Sequence, residues 1–434
     1  MRATFLTKIP ISILAFLHSV IITRLLGPEG FGVFQYITTN VQFLVMAVAF
    51  NMTHGVLYFS ASKRIDESKI VSLVLLLFLG SFTVMNLLVL AAPKSSWIAL
   101  WLLPKGFQDS PFAWYFLAAF AYHFAQIFMH AHLKGRKSFI RSNNVMLLSG
   151  VVNVLVSGLL YVMTTRGFNA DLRVLFNILT ALQIGLLVVV LIGYLPSARP
   201  RLNFNWTKSE FKTYFGYTSL GYGNMFSKFF NKRLDVYFVQ YLSGSVSLGL
   251  YGVATTLTNF LLDFVQPLNQ VIIPYLTTMN RDETVNTYPV YLRILTTIII
   301  VPVIVLIAFA SPIVNLIYGS AFSPAVSALQ VISIAIIFAY LRNYFSSYNN
   351  AKDRIRFNLL ANVTALIVTI ALDIVLIPKY GILGAAYATL AAYAISCFIV
   401  GRTVKKHLQI SWASLLLPKT SDWDVLLKTI RGKR

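Results

Sequence analysis

The sequence predicts an all-α polytopic membrane protein, with twelve transmembrane helices in two six-helix lobes that repeat in parallel. Three observations carry this. Of 434 residues, 57% are hydrophobic and 12% charged, against roughly 25% charged in ordinary soluble chains, and the mean hydropathy is +0.72. Twelve apolar runs are each long enough, at ~20 residues, to cross ~30 Å of hydrocarbon. The last six runs echo the first six. Such a composition excludes a disordered chain, a soluble enzyme and a disulfide scaffold. Cys397, the one cysteine, can form neither an intrachain disulfide nor a cysteine metal cage.

The first six runs fall at 9–25, 31–61, 70–92, 111–133, 143–164 and 173–195. The second six fall at 214–240, 249–277, 290–317, 325–349, 357–378 and 381–402. Each is expected to be a helix, because lipid offers no water to unpaired backbone groups. Arg2 and Lys8 before the first run imitate a signal peptide, but no small-residue cleavage site follows, so the run is expected to stay as the first helix.

Charge sets the orientation. The chain carries 36 Lys and Arg against 14 Asp and Glu, a net +22. In a soluble protein that balance points to nucleic acid; in a polytopic one it reflects basic cytoplasmic loops, and no nucleic-acid partner is expected. With the N-terminus inside, 26 of the 36 basic residues fall in internal segments and only Arg24, Lys94, Lys105, Arg166, Arg173 and Lys379 lie outside. Both termini are therefore expected on the cytoplasmic side.

A shift of 217 residues pairs Gly27 with Gly244, Gly32 with Gly249, Phe34 with Tyr251, and Thr38 and Thr39 with Thr255 and Thr256. It also pairs Phe43 with Phe260, Tyr58 with Tyr275 and Arg64 with Arg281. An even number of spans per repeat makes the halves parallel, related by an axis along the membrane normal. The expected organisation is an N-terminal lobe with the interlobe linker (1–207), a C-terminal lobe (208–402) and a cytoplasmic tail (403–434). In the tail, Trp412, Trp423, Leu426, Leu427 and Ile430, with Lys428, Arg431, Lys433 and Arg434 alongside, suggest an amphipathic helix on anionic lipid.

Seven charged residues fall inside spans: Lys228, Lys232, Arg233, Asp235, Asp263, Arg342 and Asp373. Each costs roughly 2.5–3.5 kcal/mol at mid-bilayer, so they should face protein or a wet cavity. Asn224, Lys228, Asn231 and Asp235 recur at helical spacing, with Lys232 beside them. Two readings fit this stripe: a cationic cavity wall, or an ion-paired seam with Lys232 on Asp235. At ~1.5 Å per residue, Lys228 lies ~21 Å and Lys232 ~27 Å into the span, which places Arg233 at the outer interface. Arg342, near the inner end of its span, either faces the cavity or snorkels. Asp263, four residues before Pro267, reads as a cation or proton site or as a counter-ion to Lys228 or Lys232. Asp373 reads as a structural pair with Lys379. His18 and His54 are further candidates for ion coupling beside Asp263 and Asp235, each against a hydrogen-bonded structural role. His123, His130 and His132 lack a metal-site spacing, and no metal or cofactor is expected. Walker, dinucleotide, nucleophile-elbow and zincin motifs are all missing from the sequence, so no enzyme activity is expected.

The stretch Thr23, Arg24, Leu25, Leu26, Gly27, Pro28, Glu29, Gly30, Phe31, Gly32, then Val33 and Phe34, closely resembles the first-loop signature of Wzx-type polysaccharide flippases. These belong to the multidrug/oligosaccharidyl-lipid/polysaccharide exporter superfamily, with MATE exporters and lipid II flippases. Gly27 and Pro28 end one helix, and Gly30 and Gly32 permit tight re-entry into the next. The echo from Gly244 to Gly249 resembles the family's second half. The resemblance implies a MATE-like fold over residues 1–402, in the bacterial cytoplasmic (inner) membrane. It implies alternating-access transfer of an undecaprenyl-pyrophosphate-linked glycan to the periplasmic leaflet, for O-antigen, capsule or exopolysaccharide. A polysaccharide polymerase and a chain-length regulator are further partners on this view, marked by no residue here. A pyrophosphate needs cations in a low-dielectric cavity; Lys228, Lys232 and Arg342 are the candidates, with Arg24 at the outer mouth. Tyr222, Tyr237, Tyr340 and Tyr344 are the candidates to stack on sugars. A MATE-like exporter of small organic molecules and a lipid II flippase stand as alternatives. The chain ends without the two extra helices usual in lipid II flippases, and four basic against three acidic intramembrane residues count against a MATE exporter.

Overall fold

The computed structural model describes residues 2–91, 93–94, 96–198, 202–419 and 422; the side chains of 2–8, 91, 195–198, 220, 224, 228 and 264–275 fall outside that description. Its helices in chain order are α1 (Arg2–Ala49), α2 (Met52–Ser62), α3 (Glu67–Asn86), α4 (Trp97–Leu102), α5 (Ser110–Gly135), α6 (Phe139–Thr165) and α7 (Leu172–Ala198). There follow α8 (Lys208–Thr278), α9 (Arg281–Ala308), α10 (Ala310–Ile317), α11 (Val326–Ala351), α12 (Ile355–Tyr380), α13 (Ile382–Leu408) and α14 (Trp412–Leu416). No strand occurs among the described residues.

Ten of these helical segments are long and apolar enough to cross a membrane, among the described residues. Two carry two predicted runs each. Helix α1 has 48 residues and α8 has 71; straight, they would reach ~72 and ~107 Å, far beyond ~30 Å of hydrocarbon. Both break at glycine. Gly27 has φ 64° and ψ −178°, and Gly244 has φ 81° and ψ 178°, a region open essentially to glycine alone. The 217-residue repeat thus appears as the same backbone conformation in both halves.

The second expected run, 31–61, is not one helix. Phe50 (φ 41°) and Asn51 (φ 58°) interrupt it between α1 and α2. Buried Asn51 donates from Nδ2 to the Thr218 carbonyl at 3.0 Å, so tertiary contact holds a break that hydropathy cannot register. The run 290–317 likewise divides at Phe309 into α9 and α10, and the run 70–92 ends as a π-helix over Leu87–Ala91.

The chain divides into two compact units, Met1–Phe229 with Gly244–Gly249, and Phe230–Ser243 with Leu250–Arg434. In the first, α5 is central: α1, α2, α3 and α7 pack on it, burying Phe112, Tyr115, Phe116 and Phe120. The glycines of the two signature turns also meet there. A Cβ on Gly32 would lie 1.8 Å from the Ser245 carbonyl oxygen, and one on Gly249 would lie 1.8 Å from that of Pro28. The start of α8 is bound by a Thr207–Glu210 capping arrangement and by Lys69, whose Nζ donates to both Glu210 oxygens at 2.8 Å. These bonds hold the Glu210 carboxyl down at about 2.

In the second unit, α11 and α12 pack on α13, and α9 packs on α11. Of the tail, the described part is the short helix α14 with the residues around it. Ser411 caps α14, Leu415 is buried, and Trp412 stacks on Phe398 at 6.0 Å with Lys405 Nζ 5.7 Å from its ring. Arg293 on α9 reaches Asp422 with Nε at 2.7 Å and Nη2 at 2.6 Å, both side chains 5% exposed. Trp423, Leu426, Leu427, Lys428, Ile430, Arg431, Lys433 and Arg434 lie outside the described residues, as do linker residues 199–201.

Candidate functional site

Four helical segments of the second unit enclose a polar cavity of ≈ 30 Å³, room for about two waters. The 230–243 part of α8 supplies Lys232, Arg233, Asp235 and Val236; the part after the kink supplies Tyr251, Thr255, Thr258 and Asn259. Helix α11 contributes Ile332 and Ile336, and α13 contributes Thr389 and Tyr393. The spacings of three and four put each set on one helical face. A wall of hydroxyls and charges in an otherwise apolar bundle is costly to build, and it marks a place where a polar ligand is handled.

Asp235 is held on both oxygens. Tyr251 donates its hydroxyl to Oδ2 at 2.6 Å, and the Val236 amide donates to Oδ1 at 2.9 Å. Tyr251, itself buried, lies 3.2 Å from the Thr389 hydroxyl. Asp235 is thus bonded to hydroxyl and amide rather than to Lys232. Among the described residues, neither Lys232 nor Arg233 has a carboxylate within 4.0 Å. Asp263, exposed, is within electrostatic reach of Lys232 without pairing to it.

Arg233, expected at the outer interface, lines this cavity. Arg342, half-buried on α11, donates from Nη2 to Asn362 on α12. Arg342 is not among the residues that line the cavity. The side chain of Lys228 lies outside the described residues. Arg24, exposed at the end of the first arm of α1, belongs to the first unit, where its Nη1 approaches the Tyr161 hydroxyl at 3.5 Å.

The tyrosines separate. Tyr237 is half-buried near Arg233. Tyr222, in the first unit, donates to the Ala47 carbonyl at 2.9 Å, with its ring 4.4 Å from Phe50. Tyr340 and Tyr344 offer no face to a sugar in this conformation: each is 1% exposed. Tyr344 and Tyr288 exchange hydroxyl-to-carbonyl bonds at 3.3 and 3.4 Å, with rings 4.8 Å apart. Packing of α9 against α11 has consumed them. His18 Nδ1 meets the Ser157 hydroxyl at 3.2 Å between α1 and α6, while His54 is exposed on α2. Asp373 is not paired with Lys379. Six residues on a helix turn the side chains by roughly 240°, and Asp373 is fully buried where Lys379 is exposed.

Sequence reasoning missed Tyr251, Thr255, Asn259, Thr389 and Tyr393. The repeat held one signal, since Tyr251 and Thr255 are the counterparts of Phe34 and Thr38. At Tyr251 a hydroxyl stands where the first half has a phenylalanine.

This architecture has known counterparts. One is the inward-facing conformation of a multidrug resistance MATE family transporter of the MOP superfamily, at TM-score 0.69 and 13% identity, covering 92% of this chain and 95% of that one. Another is the lipid II flippase MurJ in an inward closed conformation, at 0.63 and 15%, covering 100% and 96%. A MOP superfamily transporter from Pyrococcus furiosus, whose structure is described as having a binding pocket of reverse polarity, aligns at 0.59 and 13%, covering 94% and 96%. At these identities the likeness defines the fold alone: a MATE-like membrane transporter fold. Residues 21–327 match the family described as polysaccharide biosynthesis protein, and the chain belongs to that family. Comparison with curated proteins gives no match.

Proposed function

We propose that this protein is a flippase. It moves an undecaprenyl-pyrophosphate-linked oligosaccharide from the cytoplasmic to the periplasmic leaflet of a bacterial inner membrane, with both termini cytoplasmic, by alternating access between the lobes 1–207 and 208–402. The product serves O-antigen, capsule or exopolysaccharide synthesis. Membership of a polysaccharide biosynthesis family supports the glycan. The observation that carries the mechanism is the pair Lys232 and Arg233, facing one cavity without a carboxylate within 4.0 Å among the described residues. Two such cations suit a pyrophosphate, for which charge-assisted bonds in a dry site are strong. The cavity at ≈ 30 Å³ is too small for that group, so cargo enters in a more open conformation.

The test is lipid extraction from a strain lacking this gene, with mass spectrometry of polyprenyl-linked species and an impermeant reagent to assign their leaflet. Accumulation of single-repeat lipid facing the cytoplasm supports the flippase and identifies its sugar. No accumulation with an active precursor pathway favours a MATE-like exporter of small organic molecules.

A further inference from the structure

A basic turn recurs in the two halves and is neutralised in only one. A shift of 218 residues superposes Lys134, Arg136 and Phe139, after α5, on Lys352, Arg354 and Phe357, after α11. In the first unit Arg136 Nε lies 3.5 Å from the Glu67 carboxylate. In the second, among the described residues, no carboxylate lies within 4.0 Å of Arg281, Lys352, Arg354, Arg356 or His407. These five meet at one end of the unit. Lys352 Nζ donates to the Met279 carbonyl at 3.0 Å, two residues before Arg281. Arg354 Nη1 donates to the Thr403 carbonyl at 3.3 Å, one turn before His407 on α13. His407 Nδ1 meets the Tyr348 hydroxyl at 2.6 Å, and Tyr348 lies one turn before Lys352 on α11. Arg354 and Arg356 each hold the guanidinium carbon 5.0 Å from the Phe357 ring centre, so two cations share one ring. Of the acids near in sequence, Glu283 accepts from the Asn280 amide at 3.2 Å within the cap of α9, and Asp282 and Asp353 are exposed.

Lys352 and Arg354 are half-buried, where like charges repel more strongly than in open water. Their carbonyl partners carry only partial negative charge, which orients the two side chains without neutralising them. Each bond spends one donor, of three on an ammonium and five on a guanidinium. The remaining donors form an ammonium and two guanidinium forks, a set that matches the oxygens of a phosphate. The surroundings indicate where that phosphate comes from. Beside the arginines, α12 turns Ile355, Leu359, Leu360 and Val363 outward, all exposed, so an apolar face long enough for an acyl chain begins at the basic cluster. We propose that Lys352, Arg354, Arg356 and His407, with Arg281 beside them, bind the phosphate of an anionic phospholipid whose chains lie along α12. The site shares no residue with the Lys232–Arg233 cavity and is independent of the cargo.

Purified full-length protein in detergent, with no glycan present, tests this by native mass spectrometry with added phosphatidylglycerol or phosphatidylcholine. Wild type is expected to retain phosphatidylglycerol in preference to phosphatidylcholine. The double variant Lys352→Gln with Arg354→Gln should weaken that binding about thirtyfold, the worth of two basic residues against an anionic headgroup. Lys137→Gln, which removes an exposed charge from the first-unit turn, should bind as wild type does. Should the double variant fail to fold, Arg356→Gln, exposed and resting on the Phe357 ring, takes its place with a loss of about fivefold. Equal retention of the two lipids, or the same response from Lys137→Gln as from the second-unit variant, overturns the proposal. Displacement of phosphatidylglycerol by millimolar inorganic phosphate also overturns it, by assigning the site to a soluble anion.

Discussion

Replacing Gly32 by alanine puts a methyl carbon 1.8 Å from the Ser245 carbonyl oxygen and 2.9 Å from the Gly249 amide nitrogen. Unstrained carbon-to-oxygen contacts lie near ~3.3–3.6 Å, so the two signature turns must separate by about 1.5 Å. Both obstacles are main chain, and no side-chain rotamer can absorb the clash. Overpacking typically costs about 1–3 kcal/mol, and a backbone-to-backbone clash belongs at the upper end. Alanine recovers about 0.5–1 kcal/mol of helix propensity, leaving a net loss of about 2 kcal/mol. The matched control is Gly80→Ala in α3, where a new Cβ meets nothing within 4 Å and only the propensity gain remains. Thermal unfolding of both variants in one detergent isolates the clash as their difference. Gly249→Ala, facing the Pro28 oxygen at 1.8 Å, is expected to behave like Gly32→Ala. The double variant should lose less than the sum, because one separation relieves both contacts. Gly32→Ala unfolding at the same temperature as Gly80→Ala would refute the reciprocal packing of the two turns.

Four other outcomes are expected. Asp422→Asn leaves Arg293 as a buried charge without its acid and should cost about 3–5 kcal/mol, read as a lowered unfolding midpoint and faster proteolysis after residue 408. The Arg293 fork holds the Asp422 carboxyl below the usual carboxylate range; its stabilisation is complete above the ordinary carboxylate value near ~3.9 and is lost as pH falls through the depressed native one. Glu210, held at about 2 by Lys69 and Thr207, follows the same sign: its contribution is present at neutral pH and disappears only as pH falls towards about 2, so Glu210→Gln should flatten the acid limb of a stability profile. Lys228→Ala, Lys232→Ala and Arg233→Ala should impair transport at unchanged protein level, whereas Tyr344→Phe should leave transport intact and cost about 0.5–1.5 kcal/mol for one hydrogen bond; equal transport by the basic variants and wild type, or loss with Tyr344→Phe, reverses those assignments.

Hydropathy and periodicity are local properties, and they made the spans legible because each helix must satisfy its own backbone in lipid. The glycine breaks were legible too, since Gly27 and Gly244 stand at equivalent positions of a repeat and only glycine accepts their conformation. The break at Phe50 and Asn51 was not. It depends on the Thr218 carbonyl, 167 residues away in the chain, and nothing in the run 31–61 announces it. Charge type was likewise visible while its use was not. Lys232, Arg233, Asp235, Arg342 and Asp373 are all conspicuous in an apolar sequence, but helical spacing allowed Lys232 to bond Asp235 and placed Asp373 within sight of Lys379. The tertiary structure decided otherwise by bringing α13 beside α8: Tyr251 takes the Asp235 carboxylate, and Asp373 is buried while Lys379 is exposed. Which buried charge meets which partner is a long-range contact. In a bundle where most side chains are interchangeable hydrocarbon, the sequence by itself determined that these charges must be sheltered, and only the packing of the helices determined where.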